Sequence, residues 1–369
     1  MPKATETTLE IDLNALAHNY KYICSKVNPN TKILAVVKAN GYGTDSVIVA
    51  RELVKLGVDY FSVAYAIEGS ILRDAKIETP ILVLHPLPVN FDLILGRCME
   101  PSIYSAKMLV EFIAFAERKK QKNYPIHLKF NTGLNRLGFD KKDIAWISEQ
   151  LQKTSSVKVK SIFSHLAASE DPSEDAFTKK QCFVFKSISE KLIGVLGYVP
   201  LLHALNTSGV LNYPEAQFDM VRTGIGIYGF GNSPEENKQL KPVASLKTVI
   251  SQIHSIAPGE SVGYNRSYKA TDVTIIATLP LGHADGINRA FGNEVGWVTI
   301  KGEKAPIIGN VCMDMMMVDI TLIKCQEGDE VVVFGTNPTA EELSITINSI
   351  AYELLTNVSG RIKRTLSYK

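Results

Sequence analysis

The chain has 369 residues, enough for two domains or for one large barrel with an extension. Its composition of 45% apolar and 21% charged residues is typical of an ordinary globular protein. The 40 basic residues nearly balance the 38 acidic ones and leave a formal charge of +2, so the charge does not favour nucleic acid or an anionic membrane as the main partner.

The beginning of the chain and its cysteines predict a cytoplasmic location. The segment MPKATETTLEIDL has no apolar stretch, so we expect no secretory signal, and no run approaches the roughly 18 apolar residues of a membrane span. The five cysteines are scattered without a CxxC pair, which favours reduced thiols over disulfides or zinc sites. The seven histidines show no HxxxH or HxH spacing, so we expect no catalytic metal.

Helical and strand-like segments alternate up to residue 229. Apolar residues recur with helical spacing between positions 13 and 23 and predict a first helix. Strand-like runs follow, with helical segments between most of them, at 32–39, 60–65, 80–85, 100–105, 125–132, 157–166, 201–208 and 219–229. Apolar strands that alternate with helices predict a parallel sheet, and this number of units favours a (β/α)8 barrel of the TIM type. An open, doubly wound sheet is the alternative.

The pattern changes beyond residue 229. Residues 229–242 are rich in Gly, Pro, Asn and Glu, as in a linker. Short β-rich runs separated by glycine turns then follow, at 246–256, 272–282, 296–310 and 329–335. We therefore predict an α/β protein with a barrel domain over 1–235 and a mostly-β domain over 236–369, the latter with one helix near 339–357. The first 12 residues or so are candidates to pack with the β domain.

The stretch AVVKANGYG (35–43) places Lys38 at the end of the first barrel strand. Active sites of barrels form at this face, and burial disfavours an ammonium group. A lysine here can therefore have a lowered pKa and act as nucleophile or base. By position alone, a structural, salt-bridged lysine is the alternative.

Two glycine-bearing turns follow the last two predicted barrel strands. The glycines of VRTGIGIYG (221–229) let backbone N–H groups approach an anion, and NTSG (206–209) offers two hydroxyls. Barrels often bind phosphate at these positions. Together with Lys38, the turns predict a phosphorylated cofactor such as pyridoxal 5′-phosphate (PLP), which Arg222 could approach from the eighth strand.

Three further motifs leave functional and structural interpretations open. In FNTGLNRLGF (130–139), Arg136 follows a turn and could clamp an anion or be a solvated arginine of a capping loop. In GESVGYNRSY (259–268), Tyr264 lies between polar residues, which is unusual for a core tyrosine, and as a base it would need a cationic or hydrogen-bonding environment. The methionines of GNVCMDMMMVD (309–319) indicate packing by default, or the lining of a small apolar pocket.

The order of these motifs resembles that of the alanine racemases, which are PLP enzymes of fold type III. The resemblance runs nearly from end to end, through EIDLNAL, AVVKANGYG, HLKFNTGLNRLGF, IFSHLA, HALNTSG, VRTGIGIYG, VGYN, GHADG, VCMD and YELLTNVSGRIKR. It implies interconversion of L- and D-alanine, supplying D-alanine for peptidoglycan. It also implies that Lys38 is bound covalently to PLP and is the base on one face of the substrate. Tyr264, from the partner subunit of a head-to-tail homodimer, would be the base on the other face.

The resemblance also implies roles for other residues. The phosphate would be bound by Tyr42, Thr207, Tyr352 and the backbone of Gly224 and Ile225, and Asn206 would belong to the same cofactor site. Arg222 would face the pyridine nitrogen, with His165 and His203 supporting the ring and the polar groups behind it. Arg136 would hold the phenolic oxygen of the cofactor and the substrate carboxylate, and Met313 of the partner would border the side-chain pocket. Lys129 matches a lysine that is carbamylated in some relatives, where it fixes the arginine corresponding to Arg136.

Several positions depart from the family pattern. Thr44-Asp45 stands for the usual His-Gly, Asn131 for Asp, Thr207 for Ser, His283 for a tyrosine at the mouth of the substrate channel, and Asn310 for Arg. The changes at the channel leave open a racemase of broader specificity, or one that acts on serine or lysine. A PLP-binding barrel without catalysis would lack the β domain with Tyr264, and a basic amino acid decarboxylase would carry a different motif set.

Overall fold

The computed structural model describes residues 5–231 and 233–368. Its strands are β1 (Thr8–Asp12), β2 (Lys32–Val36), β3 (Tyr60–Val63), β4 (Ile81–Val83), β5 (Glu100–Ile103), β6 (Tyr124–Lys129), β7 (Val157–Phe163), β8 (Leu201–His203), β9 (Met220–Thr223), β10 (Ala244–Val249), β11 (Gln252–Ile256), β12 (Ser261–Val262), β13 (Tyr268–Lys269), β14 (Thr274–Leu279), β15 (Trp297–Ile300), β16 (Glu303–Ile308), β17 (Met316–Asp319), β18 (Glu330–Phe334) and β19 (Lys363–Ser367). Its α-helices are α1 (Leu13–Ser25), α2 (Lys38–Tyr42), α3 (Ser46–Lys55), α4 (Ala66–Asp74), α5 (Phe91–Gly96), α6 (Ala106–Arg118), α7 (Ile144–Gln152), α8 (Asp175–Leu196), α9 (Thr207–Asn212), α10 (Pro234–Asn237), α11 (Ala340–Thr346) and α12 (Ala351–Thr356).

Strands β2 to β9 form a parallel barrel in the order β8-β7-β6-β5-β4-β3-β2-β9. The two ends of this sheet meet through backbone hydrogen bonds, from Asp219 N to Leu202 O at 3.1 Å and from Arg222 N to Leu205 O at 3.0 Å. The predicted (β/α)8 barrel is therefore confirmed, and the open sheet is excluded.

Short apolar strands and amphipathic helices explain why this part of the chain closes into a barrel. Every residue of β3 and β4 is buried, as expected for strands covered on both faces. Helix α6 begins where Ser105 Oγ accepts a hydrogen bond from Met108 N at 3.3 Å, and it turns Leu109, Phe112 and Phe115 towards the strands. The carboxyl ends of all eight strands consequently meet at one face.

The remaining strands form a second layer of structure. A nine-stranded sheet has the order β11-β14-β17-β16-β15-β18-β10-β1-β19, and β12 pairs with β13 in a small ribbon. Strand β1 lies in this sheet, antiparallel to β10 and parallel to β19, and Asp12 at its end caps α1, which leads into the barrel. The predicted mostly-β region is confirmed. The predicted domain limits remain a prediction, and their outer ends at residues 1 and 369 lie outside the described residues.

Two predicted boundaries are wrong. The strand predicted at 32–39 ends at Val36, because four residues from Ala39 to Tyr42 have φ of 50° to 63° and turn the chain away from the sheet. Lys38 therefore lies two residues beyond the strand. The single helix predicted near 339–357 is divided into α11 and α12 by a break at which Asn348 has a φ of 53°.

The predicted linker at 229–242 contains the short helix α10, and the Asn237 side chain donates to the Glu341 carboxylate of α11. Asn232 of this segment lies outside the described residues. Along the part of the chain that the structure describes, no helix is long and apolar enough to cross a membrane.

Candidate active site

A cavity of about 650 Å³ opens at the carboxyl ends of the barrel strands. It gathers the site residues predicted from the barrel sequence, together with Tyr352 from α12: Lys38, Tyr42, Lys129, Arg136, His165, Asn206, Thr207, Arg222, Gly224, Ile225 and Tyr352. His203, also predicted to support the site, does not line the cavity and lies behind it against Arg222. Residues far apart in the sequence thus share one wall because closure of the barrel brings the strand ends together.

Lys38 is held by a strained turn. Val37 N donates to Ser62 O at 2.9 Å, which anchors the chain just before the lysine. The left-handed residues that follow cost roughly 1–2 kcal/mol each when they are not glycine. Glu68 offsets part of this cost, because its carboxylate accepts from Ala39 N at 2.6 Å and from Ala64 N at 2.7 Å. The backbone on both sides of Lys38 is consequently fixed, and the Lys38 side chain lines the cavity.

The surroundings of Lys38 favour its neutral amine. Burial lowers the pKa of Lys38, Arg136 lowers it further by charge repulsion, and the Glu68 carboxylate raises it in part. A lysine in this environment gives up its proton more readily than an exposed one, as a nucleophile or a base must.

Neutral hydrogen-bond donors gather at the ends of β8 and β9. Thr207 Oγ1 accepts from Gly224 N at 3.2 Å and from Gly226 N at 3.4 Å. A Cβ atom on Gly224 would lie only 2.3 Å from Tyr42 Oη, so glycine is required for this close approach. Burial raises the pKa of Tyr42, and it raises that of Tyr352 to about 12, so both phenols keep their protons. Hydroxyls and backbone N–H groups in this arrangement fit a phosphate.

Arg222 is almost fully buried under the cavity. Its Nη1 donates to His203 Nδ1 at 2.8 Å, and its Nη2 donates to Ser164 O at 2.7 Å, Ala204 O at 2.9 Å and His165 Nδ1 at 3.1 Å. Burial and then the charge of Arg222 hold the pKa of both histidines well below its ordinary value, so both rings are neutral. Among the described residues, no acceptor lies within hydrogen-bond reach of Arg222 Nε.

Lys129 and Arg136 also line the cavity. Burial lowers the pKa of Lys129 to about 8, and the positive charges of Arg136, Arg222 and Lys38 act in the same direction. Asn131, which stands for the usual aspartate, accepts from Gly133 N at 3.1 Å and from Asn135 N at 3.0 Å. An amide oxygen can thus form the turn before Arg136 without the charge. Carbamylation of Lys129 stays a prediction.

The structure does not bring Tyr264 and Met313 to this cavity within one chain. They are 71% and 59% exposed, and they line another depression of about 620 Å³ that shares no lining residue with the first. The backbone at Tyr264 is tied down, because Asn310 Nδ2 donates to its carbonyl oxygen at 3.0 Å. Nearby, Arg361 bridges Asp285 and Asp314 and so fixes the loop next to Met313.

Sequence reasoning missed several residues of the cavity wall. Tyr65 and His85 line the cavity with their rings 5.8 Å apart, edge to face, and His85 stacks on Tyr104 at 5.7 Å. Both follow barrel strands, β3 and β4, and the general position of barrel active sites could have indicated them. Glu68 gave no such signal, because it lies on a helix whose contact with the Lys38 turn depends on tertiary structure.

Comparison with known proteins places this architecture in a family. A model described as the N-terminal domain of alanine racemase matches residues 11–232, and one described as the C-terminal domain matches residues 243–366. The chain belongs to the alanine racemase family. The predicted resemblance is thereby confirmed.

Individual members of the alanine racemase family are similar over their whole length. A protein named alanine racemase from Treponema denticola is 37% identical, over 98% of this chain and 98% of its own. The alanine racemase structure from Clostridium difficile 630 has a TM-score of 0.93 and 31% identity, over 100% of this chain and 97% of the other. That from Bartonella henselae, described with covalently bound pyridoxal phosphate, has a TM-score of 0.90 and 30% identity, over 99% and 100% of the two chains.

The residues of the cavity fit the cofactor of this racemase family. An amine for a covalent bond to the aldehyde is present in Lys38, and the donors around Thr207 and Tyr42 suit the phosphate. The Nε of Arg222 can donate to a ring nitrogen that is not protonated. The enzyme class and PLP as cofactor therefore agree with the expectations from the sequence.

Proposed function

We propose that this protein is a PLP-dependent alanine racemase that interconverts L- and D-alanine, with each active site completed by a second copy of the chain. One contrast carries the proposal. Lys38 lies in a deep cavity beside a phosphate-binding cradle, whereas Tyr264 is 71% exposed on another surface of the same chain. Buried and exposed halves of one site are expected when the site is shared between subunits.

Racemisation needs proton transfer at both faces of the substrate Cα atom. Bound PLP supplies an electron sink that lowers the barrier to loss of the Cα proton. Lys38, with its lowered pKa, takes or returns the proton at its Nζ on one face. The hydroxyl of Tyr264 from the partner copy serves the other face, since one base cannot easily reach both. Inversion follows when the two groups act in sequence.

Two arginines divide the remaining roles. Arg136 lines the cavity near Lys38 and binds the substrate carboxylate and the phenolic oxygen of the cofactor. Arg222 cannot readily give up a proton, so it leaves the pyridine nitrogen unprotonated and restrains the electron sink. We infer that this restraint favours rapid reprotonation over side reactions such as transamination.

The shared site implies a head-to-tail homodimer. The surface with Tyr264 and Met313 would cover the barrel mouth of the partner, and Met313 would border the small side-chain pocket. Closed two-fold symmetry then makes two equal sites. Mixing two inactive variants, Lys38→Ala and Tyr264→Phe, tests this arrangement.

Statistical reassociation of these variants should restore about one quarter of the native activity, because half of the dimers carry one intact site out of two. If both bases belonged to the same chain, mixing would restore nothing. Each variant alone, passed through the same dissociation and reassociation, is the control.

The reaction is tested by measuring L-to-D and D-to-L conversion and the absorbance of the bound cofactor, before and after borohydride, with the modified peptide mapped. We expect reduction to fix the cofactor on Lys38 and alanine to be the fastest substrate in a panel with serine and lysine. A faster rate with serine or lysine would favour the racemase of broader specificity, for which His283 and Asn310 are the candidate determinants. The cytoplasmic location and the supply of D-alanine for peptidoglycan stay predictions.

A further inference from the structure

A line of buried polar side chains crosses the barrel interior behind the cavity. Arg222 of β9 is 4% exposed, and His203 of β8, Ser161 of β7 and His127 of β6 are each 0% exposed. Glu100, the first residue of β5, ends the line near the opposite face of the barrel. Neighbouring strands thus contribute one member each, so the line exists only because the barrel closes.

Hydrogen bonds join these side chains without a gap. Arg222 Nη1 and His203 Nδ1 are 2.8 Å apart, and His203 Nε2 and Ser161 Oγ are 2.9 Å apart. Ser161 Oγ lies 2.6 Å from His127 Nδ1, and His127 Nε2 lies 2.6 Å from Glu100 Oε2. The distances of 2.8 and 2.9 Å are within the normal range for a hydrogen bond, and the two of 2.6 Å are slightly shorter.

The arginine sets the direction of the first two bonds in this line, and a consistent arrangement of the others follows. A guanidinium has only donors, so His203 Nδ1 must accept and its proton must be on Nε2. His203 then donates to Ser161 Oγ, and the Ser161 hydroxyl can donate to His127 Nδ1. The remaining proton of His127, on Nε2, points to the Glu100 carboxylate. One proton arrangement therefore satisfies all five groups.

The far end of the line is also fixed as an acceptor. Tyr60 Oη donates to Glu100 Oε2 at 3.2 Å. Burial and then the Glu100 carboxylate raise the pKa of Tyr60, so the phenol keeps the proton that it donates. Glu100 thus receives hydrogen bonds from Tyr60 and His127 at once, which orients the His127 ring.

We propose that Ser161 and Glu100 are positioning residues that act through His127 and His203 on Arg222. They hold the His203 ring in the form protonated at Nε2 and keep the Nδ1 lone pair facing the guanidinium. The other form would place an N–H group against a guanidinium N–H across 2.8 Å, and would push Arg222 out of place. The effect on catalysis rests on the proposed role of Arg222, whereas the proton arrangement can be measured independently of the reaction.

A second serine of the barrel interior provides a matched control. Ser102 of β5 is also 0% exposed, and it is the register partner of His127. Among the described residues, its Oγ has no hydrogen-bond partner. If interior serines only fill space, Ser102→Ala and Ser161→Ala should behave alike. If the hydroxyl of Ser161 orders the line, only Ser161→Ala should disturb His203.

The test is nitrogen-15 NMR of the histidine-labelled holoenzyme, with the His203 signals assigned by His203→Gln. We expect a neutral His203 ring with its proton on Nε2 in the native protein and in Ser102→Ala. Ser161→Ala should shift the ring towards the other form or expose the Nε2 proton to rapid exchange. Glu100→Met should do the same, and Glu100→Gln, which keeps an acceptor oxygen, should retain the native signals.

Kinetics supply the second readout. Ser161→Ala and Glu100→Met should lower kcat about ten-fold, as loss of one buried hydrogen bond implies, with KM for alanine nearly unchanged and Glu100→Gln close to native. The proposal is overturned if the native His203 carries its proton on Nδ1, or if Ser161→Ala leaves the His203 signals as they are in Ser102→Ala. Native signals as expected in a protein without racemase activity would instead contradict the proposed function alone.

Discussion

The two parts of the proposed active site differ in how they are held. In the barrel, the backbone turn at Lys38 and the Arg222 side chain are fixed by hydrogen bonds to neighbouring elements, and both residues face a cavity of about 650 Å³. In the β domain, Tyr264 and Met313 are mostly exposed, and only the backbone around them is anchored. The barrel half is thus preorganised within one chain, whereas the other half acquires its environment only when something covers it. Four variants test this difference, from the largest expected effect to the smallest.

Replacing Lys38 should have the largest effect. Lys38→Ala removes both the covalent attachment of the cofactor and one base, so racemisation should fall by at least about 1,000-fold. The absorbance of the attached cofactor should disappear as well. Lys32→Ala, at the start of β2, the strand that precedes Lys38, is the matched control and should remain active, because the ion pair of Lys32 with Asp59 is partly exposed. A coloured and active Lys38→Ala protein is incompatible with the proposed role.

Tyr264→Phe should lower kcat/KM by about 100-fold or more in both directions, since it removes a proton-transferring group and an enzyme cannot change the equilibrium between two enantiomers. The cofactor should stay bound, because Tyr264 lies outside the barrel cavity. Tyr268→Phe, in the neighbouring strand β13, is the control and should behave as the native protein. Rates equal to native in both directions would show that Tyr264 is not a base.

Lys129→Met should change how stability depends on pH in the cofactor-free protein. The folded pKa of Lys129, about 8, lies below its ordinary 10.5, so the unfolded chain binds more protons between these values. The free energy of unfolding of the unsubstituted protein should therefore rise by up to about 3 kcal/mol, relative to that of Lys129→Met, as the pH rises from 8 to 10.5. Denaturant unfolding at several pH values measures this, with the exposed Lys158→Met as control. A difference that is constant with pH, or that shrinks, would contradict the lowered pKa.

Asn310→Ala should have the smallest effect. This substitution removes the hydrogen bond from the Asn310 amide to the Tyr264 carbonyl, which holds Tyr264 in place. The loss of about 1 kcal/mol of stabilisation corresponds to a decrease in kcat of a few fold. In a Tyr264→Phe background the same change should cost nothing further, because the group it positions is gone. An equal loss in both backgrounds would mean that Asn310 acts elsewhere.

The sequence predicted most of the barrel site because motifs mark it. The lysine and the glycine turns each follow a recognisable strand, Arg222 lies in one, and closure of the barrel brings these residues to one cavity. The strand before Lys38 was predicted too long. Apolar residues continue to Val37, and the left-handed turn that follows cannot be recognised from the spacing of apolar residues. A helix break at Asn348 was missed for the same reason.

The hydrogen bonds that hold the site residues in place could not be predicted from the sequence. Glu68 and Ala39 are 29 residues apart, and Ser161 and His203 are 42 apart, so their contacts depend on register between strands and helices. In the sequence, Ser161 is an ordinary residue of a predicted strand, and its neighbouring residues do not distinguish it from Ser102. Only the hydrogen-bond partners separate the two.

The position of β1 has a consequence for how the protein is made. This early strand completes the nine-stranded sheet only between β10 and β19, and β19 (Lys363–Ser367) leaves the ribosome long after the strands of the barrel. A nascent barrel can close while both edges of β1 are still unpaired, and an unpaired strand edge is a template for unwanted strand pairing. Emergence of β19, rather than of the barrel, is therefore the moment at which this early strand can be paired on both edges.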